Sequence, residues 1–247
     1  MVAPIPLHPG ASNRSEVMGL PRDALPSILR YLADRDRCVK GKNSKLPPIG
    51  ELAATLGISQ GKLREELIAA EAFGIVEMRP GDGTYVRAFD FYSAIRAVTL
   101  YGIACDSAQF DQFYEVRSQL ELAFLEQAAQ RLTAEDFAQL HRILKEANRR
   151  LTGSPVEIPH REHRDFHLLI FSRLPNGFVQ GVLKTYWEAY EIVGLHLYFD
   201  FSYFEKMWSS HRTLVEELEA HRYDEARAAL ATHFDFLSAR LQSTGRS

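Results

Sequence analysis

The sequence predicts a mainly α-helical protein in two parts: an N-terminal winged helix-turn-helix and a C-terminal all-α bundle of about seven helices. Three observations carry that reading. The first stretch, up to about residue 88, strings three helical segments before two short alternating runs that flank a Gly-rich tip. The texture then changes near Arg87–Phe91, where glycine and β-branched residues give way to long helical periodicity. Finally, 247 residues with 46% hydrophobic and 25% charged side chains form a folded chain, and no run approaches the roughly 18 apolar residues of a membrane span.

The boundaries follow from these signals. Residues 1–13 hold no Lys or Arg and no continuous apolar segment, so they lack both parts of a secretory signal; residues 1–21 read as a disordered tail. Residues 22–88 form the first domain and 89–247 the second. In the first, DALPSILRYLADR spaces Leu25, Ile28, Leu29 and Leu32 helically, with Asp23 at the N-cap. After the polar loop KGKNSKLPP, IGELAATLG puts Leu52, Ala53 and Leu56 on one face and stops at Gly57. Ser59 then caps QGKLREELIAAEAFG, whose buried stripe is Leu63, Leu67, Ala70 and Phe73, ended by Gly74. IVEMR and TYVRA, joined through Pro80–Gly83, read as a hairpin.

From Phe91 onward helices are separated at Asp106, Thr133, Thr152–Pro159, Pro175–Gly177, Asp200 and His221–Asp224. FDQFYEVRSQLELAFLEQAAQRL turns Phe113, Leu120, Ala123, Phe124 and Ala128 inward. TAEDFAQLHRILKEANRRL opens on a capping box of Thr133 and Asp136. Cys38 and Cys105 are far apart without CxxC spacing, which suits reduced thiols in a cytoplasm. Residues 1–88 hold 12 basic and 10 acidic side chains against 17 and 22 in the remainder. So small an excess does not decide for nucleic acid, because clustering matters and net charge does not show it.

Leu46 to Val86 resembles the winged helix-turn-helix of the GntR superfamily of bacterial transcription regulators. The resemblance rests on Leu46–Pro47, Glu51–Leu52–Ala53, Leu56–Gly57–Ile58–Ser59, Leu63–Arg64–Glu65, Leu67, Gly74–Ile75–Val76 and the wing Gly81–Asp82–Gly83–Thr84–Tyr85–Val86. It implies that the third helix enters a DNA groove. Its first turn offers Ser59, Gln60, Lys62 and Arg64 beside unpaired backbone N–H groups that favour phosphate. Arg64 suits guanine and Gln60 adenine, whereas Lys45, Lys62, Arg79 and Thr84, with Gly83 at the wing tip, suit phosphates. Ile49–Gly50 stands where an acidic–Arg pair is common in the family, and Gln60–Gly61 replaces a frequent Arg and a small polar residue. Glu66 sets an extra carboxylate near the recognition turn, which lowers the expected affinity. Such modules act as dimers, so the expected partner is double-stranded operator DNA with an imperfect palindrome.

Four of nine histidines stand where one ion could gather them. His163 and His167 are four apart on one helical face, and His211 and His233 lie amid apolar residues on two further helices. Asp165, two positions from each of the first pair, points to another face. This half is similar to the FCD-type sensing domain of FadR-like GntR regulators, whose metal-binding members use an Asp, a His four later and two distant histidines. The resemblance maps the last three to His167, His211 and His233, and puts His163 where the family has Asp. An imidazole for a carboxylate leaves more positive charge on a divalent ion and favours Zn or Ni over Mn or Mg. Arg117 corresponds to an arginine that relatives point into the effector pocket, suited to a carboxylate. Tyr186, Trp187 and Tyr190 are candidate linings of the same cavity.

The expectation is a cytoplasmic, homodimeric transcription regulator without enzymatic activity or membrane contact. It is a repressor controlled by a small organic acid bound at or near the metal. The alternatives are a helical-bundle metalloenzyme and a ligand sensor that has lost specific DNA binding.

Overall fold

The computed structural model describes residues 24–33, 44–193 and 201–243, without the side chains of 201–202 and 236–243. The expected tail, Asp23, Cys38 and Asp200 lie outside the described residues. The chain divides into two compact units, Met1–Asp90 and Phe91–Ser247.

The first unit holds α1 (Ser27–Ala33), α2 (Ile49–Leu56), α3 (Gln60–Ala72), β1 (Val76–Arg79) and β2 (Gly83–Val86). Helix α2 ends where Gly57 turns left-handed at φ 67°. Ser59 caps α3, its side chain accepting from the Lys62 N–H at 3.1 Å. The strands pair antiparallel, Val76 opposite Val86 and Arg79 opposite Gly83. Backbone bonds from Leu46 N to the Thr84 carbonyl and from Val86 N to the Ser44 carbonyl lay the chain before α2 along the wing. Gly83 is required there: its φ is +145°, and a Cβ would meet Lys45 Cε at 2.6 Å. Ile28, Leu32, Leu52, Ala53, Leu63, Leu67, Ala70, Val76 and Val86 close a small core.

Two expectations in this unit change. Phe73 is 42% exposed: α3 ends at Ala72, and Phe73 is its C-cap, one position past the helical repeat that carries the buried stripe. Glu66 does not face the recognition turn outward. It is buried, and its Oε2 accepts from the Ile28 N–H at 2.9 Å. Four N–H groups at any helix start need partners, and Glu66 supplies one for α1 from across the core.

The second unit is seven helices among the described residues: α4 (Phe91–Cys105), α5 (Ala108–Ala129), α6 (Ala134–Leu151), α7 (His160–Ile170), α8 (Gly177–Val193), α9 (Phe201–Glu219) and α10 (Tyr223–Ser243). The predicted capping box is present, with Thr133 Oγ1 accepting from Asp136 N and Asp136 Oδ2 accepting from Thr133 N at 2.8 Å. Helix α4 lies against α8, and Gly181 permits the approach, since a Cβ there would meet Tyr92 N at 2.7 Å. Helices α9 and α10 pack together, α9 also meets α6, and α5 lies against α8 and α10. Asp165 pairs with Arg164 at 2.9 Å.

Helix α5 is rotated from the expected face. Its buried positions are Phe110, Tyr114, Arg117, Ser118, Glu121, Leu125, Ala128 and Ala129; Phe113, Leu120 and Phe124 are only partly buried, and Ala123 is exposed. The reason is chemical. The interior stripe carries an arginine and a glutamate, which a hydrophobicity pattern assigns to solvent.

Candidate functional site

Helices α7, α9 and α10 bring the four histidines together in the interior of the second unit. His163 and His167 stand one turn apart on α7, His211 comes from α9 and His233 from α10. One ring nitrogen from each lies within 4.8 Å of all the others, and each residue is at most 4% exposed. The ring centroids of His211 and His233 are 4.3 Å apart, and His167 Nε2 is 3.1 Å from His211 Nε2.

These residues suit a metal ion. Two atoms on one ion at the roughly 2.0–2.1 Å imidazole–zinc distance stand at most about 4.2 Å apart, so ligand atoms that lie within 4.8 Å of one another reach a shared ion with shifts of a few tenths of an ångström. Buried Nε2 atoms of His163 and His233 have no hydrogen-bond partner, and an unsatisfied buried polar atom costs about 1–3 kcal/mol. On His233 the other nitrogen, Nδ1, is 3.5 Å from Ser210 Oγ. Burial holds His163, His211 and His233 well below the ordinary histidine pKa, with neighbouring imidazoles adding to the effect. The rings are therefore neutral at pH 7, the form in which imidazole ligates.

Behind the histidines runs a buried ionic line that the sequence does not announce. His167 Nδ1 is 2.7 Å from Glu121 Oε2, and Arg117 Nε donates to Glu121 Oε1 at 2.7 Å. Arg117 and Glu121 are 1% and 0% exposed. Burial would push the Glu121 carboxyl up, yet Arg117 and His167 hold it below the usual range, so it is ionised. The Arg117 guanidinium lies over the rings of Tyr186, Trp187 and Phe234 at 4.7, 4.6 and 5.1 Å. Its Nη2 has no partner, nor do the buried Tyr186 hydroxyl and the Trp187 and Trp208 indole nitrogens. Tyr190, buried as well, packs its ring 6.2 Å from His163 and has its hydroxyl pKa pushed up to about 12 by burial. Glu121 was missed because a carboxylate four residues after an arginine looks like a surface ion pair. A signal was nevertheless present: Arg117 and Glu121 fall on the same helical face as Tyr114 and Leu125.

The remaining histidines stand apart. His141 meets Glu219 at 2.9 Å on the surface, His221 sits at φ 57° beside the Tyr223 hydroxyl, and the His160 ring rests edge-on to Phe204. His8 and His196 lie outside the described residues.

In the first unit Ser59, Gln60, Lys62 and Arg64 are exposed around the start of α3. Among the described residues Lys62 and Arg64 form no ion pair. The wing is different. Lys45 Nζ is 3.0 Å from Asp82, the Tyr85 hydroxyl donates to the same carboxylate, and Arg79 pairs with Glu77 at 2.9 Å while stacking 4.2 Å over Tyr85. Gly83 and Thr84, partly buried, begin the second wing strand.

Two family models match the chain. Residues 41–86 match the model of bacterial regulatory proteins of the gntR family, and residues 112–236 match the FCD domain. The chain is 27% identical over 215 residues to the Uxu operon transcriptional regulator of Escherichia coli, covering 84% of this chain and 83% of that protein. It is 25% identical over 197 residues to the HTH-type transcriptional regulator LutR of Bacillus subtilis, covering 76% and 87%. The structure of a Streptococcus agalactiae GntR protein shares the fold, with a TM-score of 0.64 at 18% identity over 85% of this chain and 94% of that one. A gntR-type reading head and an FCD domain filling half the sequence place this chain in the gntR family of bacterial regulatory proteins, in its FCD-bearing branch.

Proposed function

We propose that the protein is a transcription regulator whose helical unit senses a small organic acid at a metal centre and whose winged unit grips operator DNA as one half of a homodimer. The observation that carries the sensing half is the convergence of four buried, neutral imidazoles from three helices within 4.8 Å. His163, His167, His211 and His233 would hold the ion, and four neutral ligands favour Zn or Ni. Once bound, the ion supplies Lewis-acid attraction for a carboxylate. Arg117 Nη2, the Tyr186 hydroxyl and the Trp187 and Trp208 indoles are unpaired donors in the same interior, which suits an acceptor-rich anion. An effector that binds two dimer arrangements unequally shifts DNA affinity by that difference, and repression relieved by the acid is the arrangement proposed.

For the reading head, Ser59, Gln60, Lys62 and Arg64 face the groove, with Arg64 the base reader. Lys45, Arg79 and Thr84, with Gly83 at the turn, lie along the phosphates. The inward course of Glu66 removes the carboxylate that argued against tight binding. One relative named above, the Uxu operon transcriptional regulator, controls an operon by name, which supports an operator site near a gene cluster.

Two measurements test the proposal. Binding of the full chain to its upstream region is titrated with salt; specific binding with a steep salt slope is expected, weakened by Arg64→Ala. Unchanged specific binding in that variant removes the recognition assignment. Elemental analysis then compares wild type with His167→Ala/His211→Ala. Near-stoichiometric zinc or nickel in the first and little in the second is expected, and equal, negligible metal in both rejects the centre.

A further inference from the structure

The Arg117–Glu121–His167 line has a direction. We infer that Glu121 is a positioning residue that fixes the tautomer of His167, turning its Nε2 lone pair toward the metal centre, with Arg117 holding the carboxylate in place. The inference rests on the metal reading above for its consequence, though not for its geometry.

Glu121 lies 2.7 Å from a guanidinium that is always charged, which makes it a carboxylate, and a carboxylate only accepts hydrogen bonds. Both oxygens of Glu121 are occupied by different groups: Oε1 receives Arg117 Nε and Oε2 faces His167 Nδ1, each at 2.7 Å. The proton of that second bond must therefore sit on His167 Nδ1. A neutral imidazole carries one N–H, so Nε2 is left with a lone pair. That atom is the one 3.1 Å from His211 Nε2, inside the cluster. Arg117 is clamped by three aromatic rings and cannot swing away without exposing a buried charge. A buried carboxylate that orients a ligating histidine through its far nitrogen raises metal affinity, typically 10- to 100-fold.

The alternative is that Glu121 only neutralises Arg117. The two roles differ in what Glu121→Gln does. An amide has one acceptor and one donor end. The charged guanidinium claims the oxygen more strongly than a neutral imidazole does, so the NH2 is left facing His167 Nδ1. His167 then keeps a lone pair at Nδ1 and moves its proton to Nε2, which can no longer ligate. Removing the competitor reverses this. In Arg117→Met/Glu121→Gln the amide oxygen is released to accept from Nδ1, and the Nε2 lone pair returns.

The test uses the full chain. Nitrogen-15 NMR of the zinc-free wild type, labelled at histidine, reads the tautomer of His167, assigned by the resonance lost in His167→Asn. A neutral ring protonated at Nδ1 is expected; protonation at Nε2 overturns the inference without any Glu121 variant having to fold. Zinc affinity is then measured by competition with a chelator. Glu121→Gln should bind zinc 10- to 100-fold more weakly, and Arg117→Met/Glu121→Gln should recover part of that loss. A double variant no better than the single overturns the inference, because a purely structural role makes the second loss add to the first. A wild type that binds no zinc rejects the metal reading instead and leaves the tautomer measurement to decide Glu121.

Discussion

The wing and the bundle interior are built from the same kind of pair, a basic side chain against a carboxylate, and the surroundings give the pairs opposite meanings. Lys45–Asp82 and Arg79–Glu77 are each about half exposed. Water screens such pairs, which are worth about 0–1 kcal/mol, so a phosphate can replace the carboxylate with little loss. Arg117–Glu121 is dry, and its partners have no solvent to fall back on. An exchangeable pair suits the DNA-facing role proposed for the wing, and a locked pair suits the wall of the proposed ligand site. Glu66 belongs with the second kind although it sits in the first unit, since its carboxylate is committed to the start of α1.

Breaking the locked pair gives the largest expected effect. Arg117→Met strands a buried carboxylate and should destabilise the chain by about 3–5 kcal/mol in urea unfolding. A loss under 1 kcal/mol would mean that the pair is effectively solvated. Arg64→Ala should weaken operator binding by about 1–3 kcal/mol through one lost base contact. Glu66→Ala should remove the remote cap and destabilise the chain by about 1–2 kcal/mol without raising DNA affinity. A gain in affinity would show that the carboxylate does act on DNA.

Acid offers an intermediate case. Asp136 has its pKa lowered to about 2 chiefly by the side chain of Arg173; burial opposes the shift, and the Thr133 backbone and hydroxyl add to it. A depressed carboxyl stabilises the fold above its ordinary value of 3.8 and loses that contribution as pH falls toward 2. Thermal stability between pH 4 and 2 should therefore fall less steeply in Asp136→Asn than in wild type, once both are referred to their values at pH 6. The smallest effect belongs to the exposed wing. Asp82→Asn should shift stability by less than about 0.5 kcal/mol, and comparable loss to Arg117→Met would erase the contrast.

Local chemistry was legible in the letters. Ser59 as a cap, Gly57 as a stop, the Thr133–Asp136 box and the Pro80–Gly83 turn act within a few residues of themselves, so sequence alone determines them. His163 and His167 are of this kind too, because a spacing of four sets both rings on one face of any helix. Their meeting with His211 and His233 is not, since it depends on how α9 and α10 lie against α7. The face of α5 was decided by tertiary structure as well. Glu121 enters the interior only because Arg117 and His167 wait there to satisfy its oxygens, and burial of a charge is settled by partners distant in sequence. The inward turn of Glu66 has the same cause, an unfilled N–H at Ile28 thirty-eight residues earlier. Periodicity sorts side chains by affinity for water, whereas these three-dimensional contacts decide which polar groups no longer need it.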